Sequence, residues 1–226
     1  AVYFVPVILV ITGVANQTWQ LYVCFILSGF GMAGIGMGIM HDAIHGTYSQ
    51  NPTINKLLGY TLNMVGANAT VWKIQHNVLH HSFTNIHEGD DDINAPFFLR
   101  FSPNAEKNAL HPYQHWYTWF FYGLSTLSWV TSKDFIRLTR YHKMGLVKGK
   151  NAYRNNVLKI IAWKLVYYAF TLGLPIAFSP FGVGHILLAF IILHFITGLS
   201  ISLVFQTAHV MPDMAFPQMD EHGMVE

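Results

Sequence analysis

His41 and His45 stand four residues apart, and His76, His80 and His81 repeat that spacing with one ring added. On a helix, residues i and i+4 share a face about one turn apart. The spacing predicts that His41 and His45 point together, as do His76 and His80. His81 is expected about 100° further round, able to reach a second metal. Imidazole suits iron, copper, zinc and nickel. Five clustered imidazoles exceed what one structural zinc needs, and the single cysteine, Cys24, cannot complete a zinc-finger pattern. A histidine set large enough for two metals favours iron in a redox role. Cys24 lies in an apolar run and reads as a small buried residue with no internal disulfide partner.

The elements that must carry these rings are apolar. The 226 residues are 52% hydrophobic and 11% charged, where a soluble domain carries roughly 25% charged residues. That deficit points to lipid. Residues 20–40 hold no charge, a length of roughly 31 Å as a helix, which matches a bilayer core. Residues 184–205 are similar, broken only by His185 and His194, and residues 160–178 hold one Lys, Lys164, placed to snorkel toward the interface. Residues 1–15 form a fourth apolar run, read as a span with its front end cut off. Twelve of the thirteen Lys and Arg lie from Lys56 to Lys159, and connections 16–19 and 179–183 hold none. The positive-inside rule then puts 41–158 in the cytoplasm. The expected fold is an all-α integral membrane protein: four transmembrane helices (about 1–15, 20–40, 160–178 and 184–205) in two hairpins, with a cytoplasmic helical cap over 41–158. His45, His81 and His209 then fall on one side.

Within the cap, a short helix is expected from Asn51-Pro52 to about Met64, and another over 72–81. Residues 87–112 read as loop, with Asp90, Asp91 and Asp92 as a solvated turn. Asp42 and one of that triplet could instead orient an imidazole through its other nitrogen. Residues 116–140, aromatic on one side and basic at the end, suit a helix resting on the cytoplasmic leaflet. Gly34 and Gly38 have the GxxxG spacing of close helix packing. His87, His111, His115, His142 and His222 read as solvated or interfacial. His194, inside a span, reads as a neutral ring bonded to a neighbouring helix, with a place on a substrate path as the alternative; Trp72 is a second candidate for that path. No basic stripe suggests nucleic acid.

His41-Asp-Ala-Ile-His45, the stretch from Trp72 to His81, Thr84-Asn85, Leu99-Arg-Phe-Ser-Pro and Phe205-Gln-Thr-Ala-His-Val together resemble the membrane fatty acid desaturases. The likeness is nearest to bacterial acyl-CoA or acyl-lipid enzymes of the linoleoyl-CoA (delta-6, front-end) type. It implies a di-iron centre held by histidine boxes under a four-helix membrane stem. His209, after the fourth span, matches a further ligand of that family, and Gln206, one turn earlier, could position a water or ligand. The implied activity is O2-dependent insertion of a cis double bond into a fatty acyl-CoA or acyl-lipid, on the cytoplasmic face of a membrane such as a bacterial inner membrane. No haem or flavin motif is visible, so electrons must come from a partner such as cytochrome b5 or ferredoxin with its reductase. The basic stretch 133–150 could dock an acidic donor or anionic lipid headgroups. The family's third box, QxxHH, is absent up to Glu226, so the chain is expected to be a partial desaturase domain. A membrane hydroxylase or ketolase would share the boxes. A metal-binding or transport protein would instead place its polar ligands in mid-membrane.

Overall fold

The computed structural model of the chain describes residues 1–209 and 213–218, without the side chain of His209. Among these residues every regular element is helical. Helix α1, Phe4–Ile11, closes at Gly13, where φ is +72°. Its eight residues cover about 12 Å, which falls short of a bilayer core. The apolar run after it builds α2, Thr18–Gly34, entered through a polar cap in which Gln20 Oε1 accepts from the backbone N–H groups of Asn16 and Gln17, both at 2.9 Å. This helix does not stop at Gly34. It widens into a π-helical stretch, Ile35–Met40, and resumes as α3, His41–His45. Gly46 then takes φ +80°, a left-handed cap that only glycine adopts cheaply, and the helix ends directly after His45.

Short helices α4 (Pro52–Gly59), α5 (Thr61–Met64) and α6 (Ala69–Lys73) follow. Side chains cap two of them: Asn51 accepts from Thr53 N, and Asn68 from Thr70 N and Val71 N. A second π-helical stretch, Ile74–His80, extends α6 through the second histidine group. After a long loop come α7 (Gln114–Ser128), a π turn at Trp129–Lys133, and α8 (Asp134–Lys143). Helix α9 (Ala152–Tyr168) passes through a further π turn into α10 (Leu174–Phe178), and α11 (Val183–His209) is the last helix described.

Among the described residues, three helices are long and apolar enough to cross a membrane: Thr18–His45, Ala152–Phe178 and Val183–Ala208. Helix α11 runs parallel to α2, since Tyr22 Oη bonds His185 Nδ1 at 2.9 Å near one end and Thr197 Oγ1 donates to Gly29 O at 3.0 Å further along. Helix α9 meets α11 near its middle, where Tyr167 Oη lies 2.7 Å from His194 Nε2. Their main core joins Leu21, Phe25 and Met32 to Trp72, Tyr167 and Leu193. A smaller core of Val71, Leu79, Leu138, Tyr141 and Ile160 fastens the second histidine helix to α8 and α9.

Four expectations change here. The close helix contact falls at Gly29, where a Cβ would lie 2.8 Å from Leu193 O, whereas Gly34 and Gly38 face open space. Inside the π stretch that follows Gly34 it is Gly36 that faces α11, where a Cβ would lie 3.2 Å from Ile201 Cδ1. Lys164 does not snorkel: its side chain is buried because Asp134 Oδ2 (2.9 Å), Gly66 O (2.9 Å) and Trp129 O (2.8 Å) accept its three protons. The aromatic helix does not rest on a leaflet alone. Gly123 and Gly198 let α7 press against α11, a Cβ on Gly198 coming 2.5 Å from Tyr122 O, and Thr126 Oγ1 donates to His194 O at 2.9 Å. Finally, the acidic triplet is no solvated turn. Asp90 and Asp91 are buried, and the Asp92 carboxylate is 2% exposed.

Candidate metal centre

Helix α3 and the π-helical stretch Ile74–His80, with His81 directly after it, bring all five histidines together. Ring centroids lie 4.6 Å apart for His41–His45, 5.2 Å for His45–His76, 5.1 Å for His76–His80 and 4.8 Å for His76–His81. His45 reaches His81 at 4.9 Å. Here the α-helical expectation for His81 fails in a useful way. Along Ile74–His80 the backbone follows an i→i+5 pattern, so residue i+5 comes almost over residue i. His80 and His81 therefore flank His76 on one face, and all five rings form one group. Ligand nitrogens of His41, His45 and His76 lie within 4.8 Å of one another, as do the ligand atoms of His76, His80 and Asp92.

Burial grades across the group. His76 and His80 are buried, His41 and His45 half-buried, and His81 exposed. Trp72 walls one side, stacked on His76 with centroids 4.6 Å apart at 28°. Asn77 Nδ2 donates to Ile44 O at 3.3 Å and ties the second histidine helix to the first.

Carboxylates hold the backs of three rings. Asp42 Oδ1 accepts from His41 Nδ1 at 3.0 Å. Asp92 Oδ2 accepts from His76 Nδ1 at 2.8 Å while its other oxygen takes Gln75 Nε2 at 2.6 Å. Both oxygens of Asp90 lie within 3.0 Å of His80 Nδ1. A proton held on Nδ1 leaves the lone pair on Nε2, across the ring, which is the tautomer a metal takes. Sequence reading allowed one of the acidic triplet to orient an imidazole; two do so, Asp90 and Asp92, and the support that Gln75 gives Asp92 was missed. The signal was there in one form: three adjacent carboxylates in a chain with few charges, close in sequence to the histidines.

These contacts shift protons. Burial disfavours a charged His80, yet the Asp90 bond and the Asp92 and Asp90 charges outweigh it, so its pKa sits above the ordinary imidazole value. Burial also works against the Asp92 carboxylate, but bonds from His76 and Gln75 prevail and hold its pKa below the usual value. His81 is pushed down by desolvation and by His76 and His80 beside it. A set of imidazoles with carboxylates on Nδ1 fits a metal bound through nitrogen.

The remaining expected site residues are scattered. His209 ends α11, which runs toward the histidine end of α2, but its side chain lies outside the described residues. Gln206 is half-buried on that last stretch. His194 sits among helices, with Tyr167 on Nε2 and Thr126 Oγ1 3.1 Å from Nδ1. His111, read as solvated, is buried: its Nε2 bonds Phe97 O at 3.0 Å and its Nδ1 accepts from Asn108 N, which pins the loop. His222 lies outside the described residues.

The fatty acid desaturase family model matches residues 17–224. The chain belongs to the fatty acid desaturase family. It is 32% identical over 206 residues to an sn-1 linoleoyl-lipid 6-desaturase of Arthrospira platensis, covering 89% of this chain and 54% of that protein. It is 30% identical over 222 residues to an acyl-lipid (8-3)-desaturase of Mortierella alpina, covering 94% of this chain and 48% of that one. An sn-1 linoleoyl-lipid 6-desaturase of Synechocystis is 29% identical over 210 residues, with 92% and 57% covered. The chain thus spans about half the length of the curated relatives it matches. No solved structure matches it.

Proposed function

We propose that this chain is the histidine-bearing part of an O2-dependent acyl-lipid desaturase, with His41, His45, His76, His80, His81 and His209 as ligands to two iron ions. The observation that carries this reading is the convergence of five imidazoles, three of them with Nδ1 against a carboxylate. Bound there, iron would supply the O2 activation that removes one hydrogen from each of two adjacent methylenes. Two electrons from a partner such as cytochrome b5 or ferredoxin, with two protons, complete the reduction of O2 to two waters. The chain's own residues do the holding. Asp42, Asp90 and Asp92 fix ring orientation and tautomer, and Trp72 excludes water from one side of His76. No separate acid or base is assigned, because hydrogen removal at a methylene needs none.

The relatives named for acting on acyl lipids support an acyl-lipid substrate, with acyl-CoA as the other carrier in this reading. The domain is proposed to hold four spans in two hairpins, with residues 1–15 contributing the first and 41–158 forming a cytoplasmic cap, except for α7, which lies along the middle of α11 and so beside the spans. The histidine centre then faces the cytoplasm. The experiment is fatty acid analysis by mass spectrometry of cells expressing the protein, with any residues its gene encodes beyond Glu226. A new cis double bond that disappears in His80→Ala supports the reading. Hydroxylated product without alkene would move it to a hydroxylase.

A further inference from the structure

Asp90, Asp91 and Asp92 are consecutive but face two structures. Asp90 and Asp92 point at His80 and His76. Asp91 points away, to α8, where Arg137 Nη1 lies 2.7 Å from Oδ1, Arg140 Nη1 meets the same oxygen, and Tyr141 Oη donates to Oδ2 at 2.5 Å. The partners at 137, 140 and 141 share one face of α8. Both arginines also hold backbone: Arg137 Nη2 donates to Asp91 O at 3.4 Å and Arg140 Nη2 to Glu88 O at 3.1 Å. Three neighbouring carboxylates are thus buried together, which is costly unless each is satisfied. The loop that carries them has no regular helix between 82 and 110, and it bends through positive φ at Asn85 (62°) and Glu88 (67°). A loop of this kind does not by itself fix a side chain well enough to aim a ligand.

We infer that Asp91 is a positioning residue of the metal centre: its clamp to Arg137, Arg140 and Tyr141 sets where Asp90 and Asp92 stand, and through them how His80 and His76 present Nε2. This rests on reading the histidines as a metal site. An ion pair serving only the fold would hold α8 to the loop without affecting the metal. The Asp91 clamp, by contrast, transmits any slack to two ligand rings at once.

The test adds Co(II) to the metal-free protein in detergent micelles and records its visible absorption and affinity in wild type, Asp91→Asn, Tyr141→Phe, Asp92→Asn and the Asp91→Asn/Asp92→Asn double variant. Loss of an orienting partner weakens metal binding about 10–100-fold. Asp91→Asn is expected to fall in that range and to shift the absorption bands in the direction Asp92→Asn does. The double variant should bind little worse than the weaker single one, as expected for residues acting through one path. Tyr141→Phe, which removes one bond and keeps the ring's packing, gives a smaller shift of the same kind and decides the matter if Asp91→Asn does not fold. Wild-type affinity and spectrum in the variants, even with a lowered melting temperature, would overturn the positioning role. A wild-type protein that takes up no Co(II) would instead overturn the metal reading beneath it.

Discussion

At the residue scale, the centre depends on where protons sit. His80 has a raised pKa because Asp90 and Asp92 outweigh its burial, so its charged form stabilises the metal-free fold. That contribution is fully present below the unfolded imidazole value of about 6.5 and is lost as pH rises through the raised folded value. The metal-free protein is therefore expected to melt at lower temperature as pH rises from about 6.5 through that folded value. Asp90→Asn should flatten that slope, and calorimetry in detergent over this range checks it. Ligand substitution is simpler: His76→Ala should remove metal binding and product together. What was legible at this scale was local. The i, i+4 spacing of His41 with His45 and of His76 with His80 is written along the chain. The Asp92–His76 and Asp90–His80 contacts join residues 16 and 10 apart across an irregular loop, and no periodicity encodes them.

At the element scale, the π stretches matter most. Ile74–His80 gathers His76, His80 and His81 on one face, and Ile35–Met40 precedes the first pair. Sequence periodicity assumes 3.6 residues per turn, so it placed His81 off to one side. It found the helices and misjudged the phase. Charge had the opposite problem: Lys164 was visible, but its partner Asp134, 30 positions away, was not. That pair joins α9 to α8 in a buried setting. Lys164→Ala would leave the buried Asp134 carboxylate without its ion-pair partner, held only by the Trp129 Nε1 bond and the nearby Lys133 charge, and is expected to cost about 3–5 kcal/mol. The double change Lys164→Met/Asp134→Leu should recover most of the loss. Unfolding of the three proteins in detergent micelles measures both, and equal stability of Lys164→Ala and wild type would contradict a stabilising role for the Lys164–Asp134 pair.

At the scale of the whole molecule, composition alone gave the class, because so few charges leave little but lipid to cover the surface. Helices α2 and α11 run parallel and carry His41, His45 and His209 toward one end. The proposed orientation predicts that Asn16 and Lys148, both exposed, lie on opposite sides of the bilayer. In a Cys24→Ala background, a membrane-impermeant maleimide should label Asn16→Cys in intact cells and Lys148→Cys only after permeabilisation. Labelling of both from one side would rule out that orientation. The apolar run 1–15 reads as a span, yet its helix α1 covers only Phe4–Ile11, since an apolar run sets hydrophobicity and not where a helix closes. The central claim, however, is the metal. Iron analysis of the purified protein, by plasma mass spectrometry with Mössbauer spectra of a 57Fe-loaded sample, tests it most directly. The expected result is two irons per chain in nitrogen-rich, non-haem sites, lost in His76→Ala and His80→Ala. Protein that carries no iron, or retains it when those rings are removed, would contradict the account.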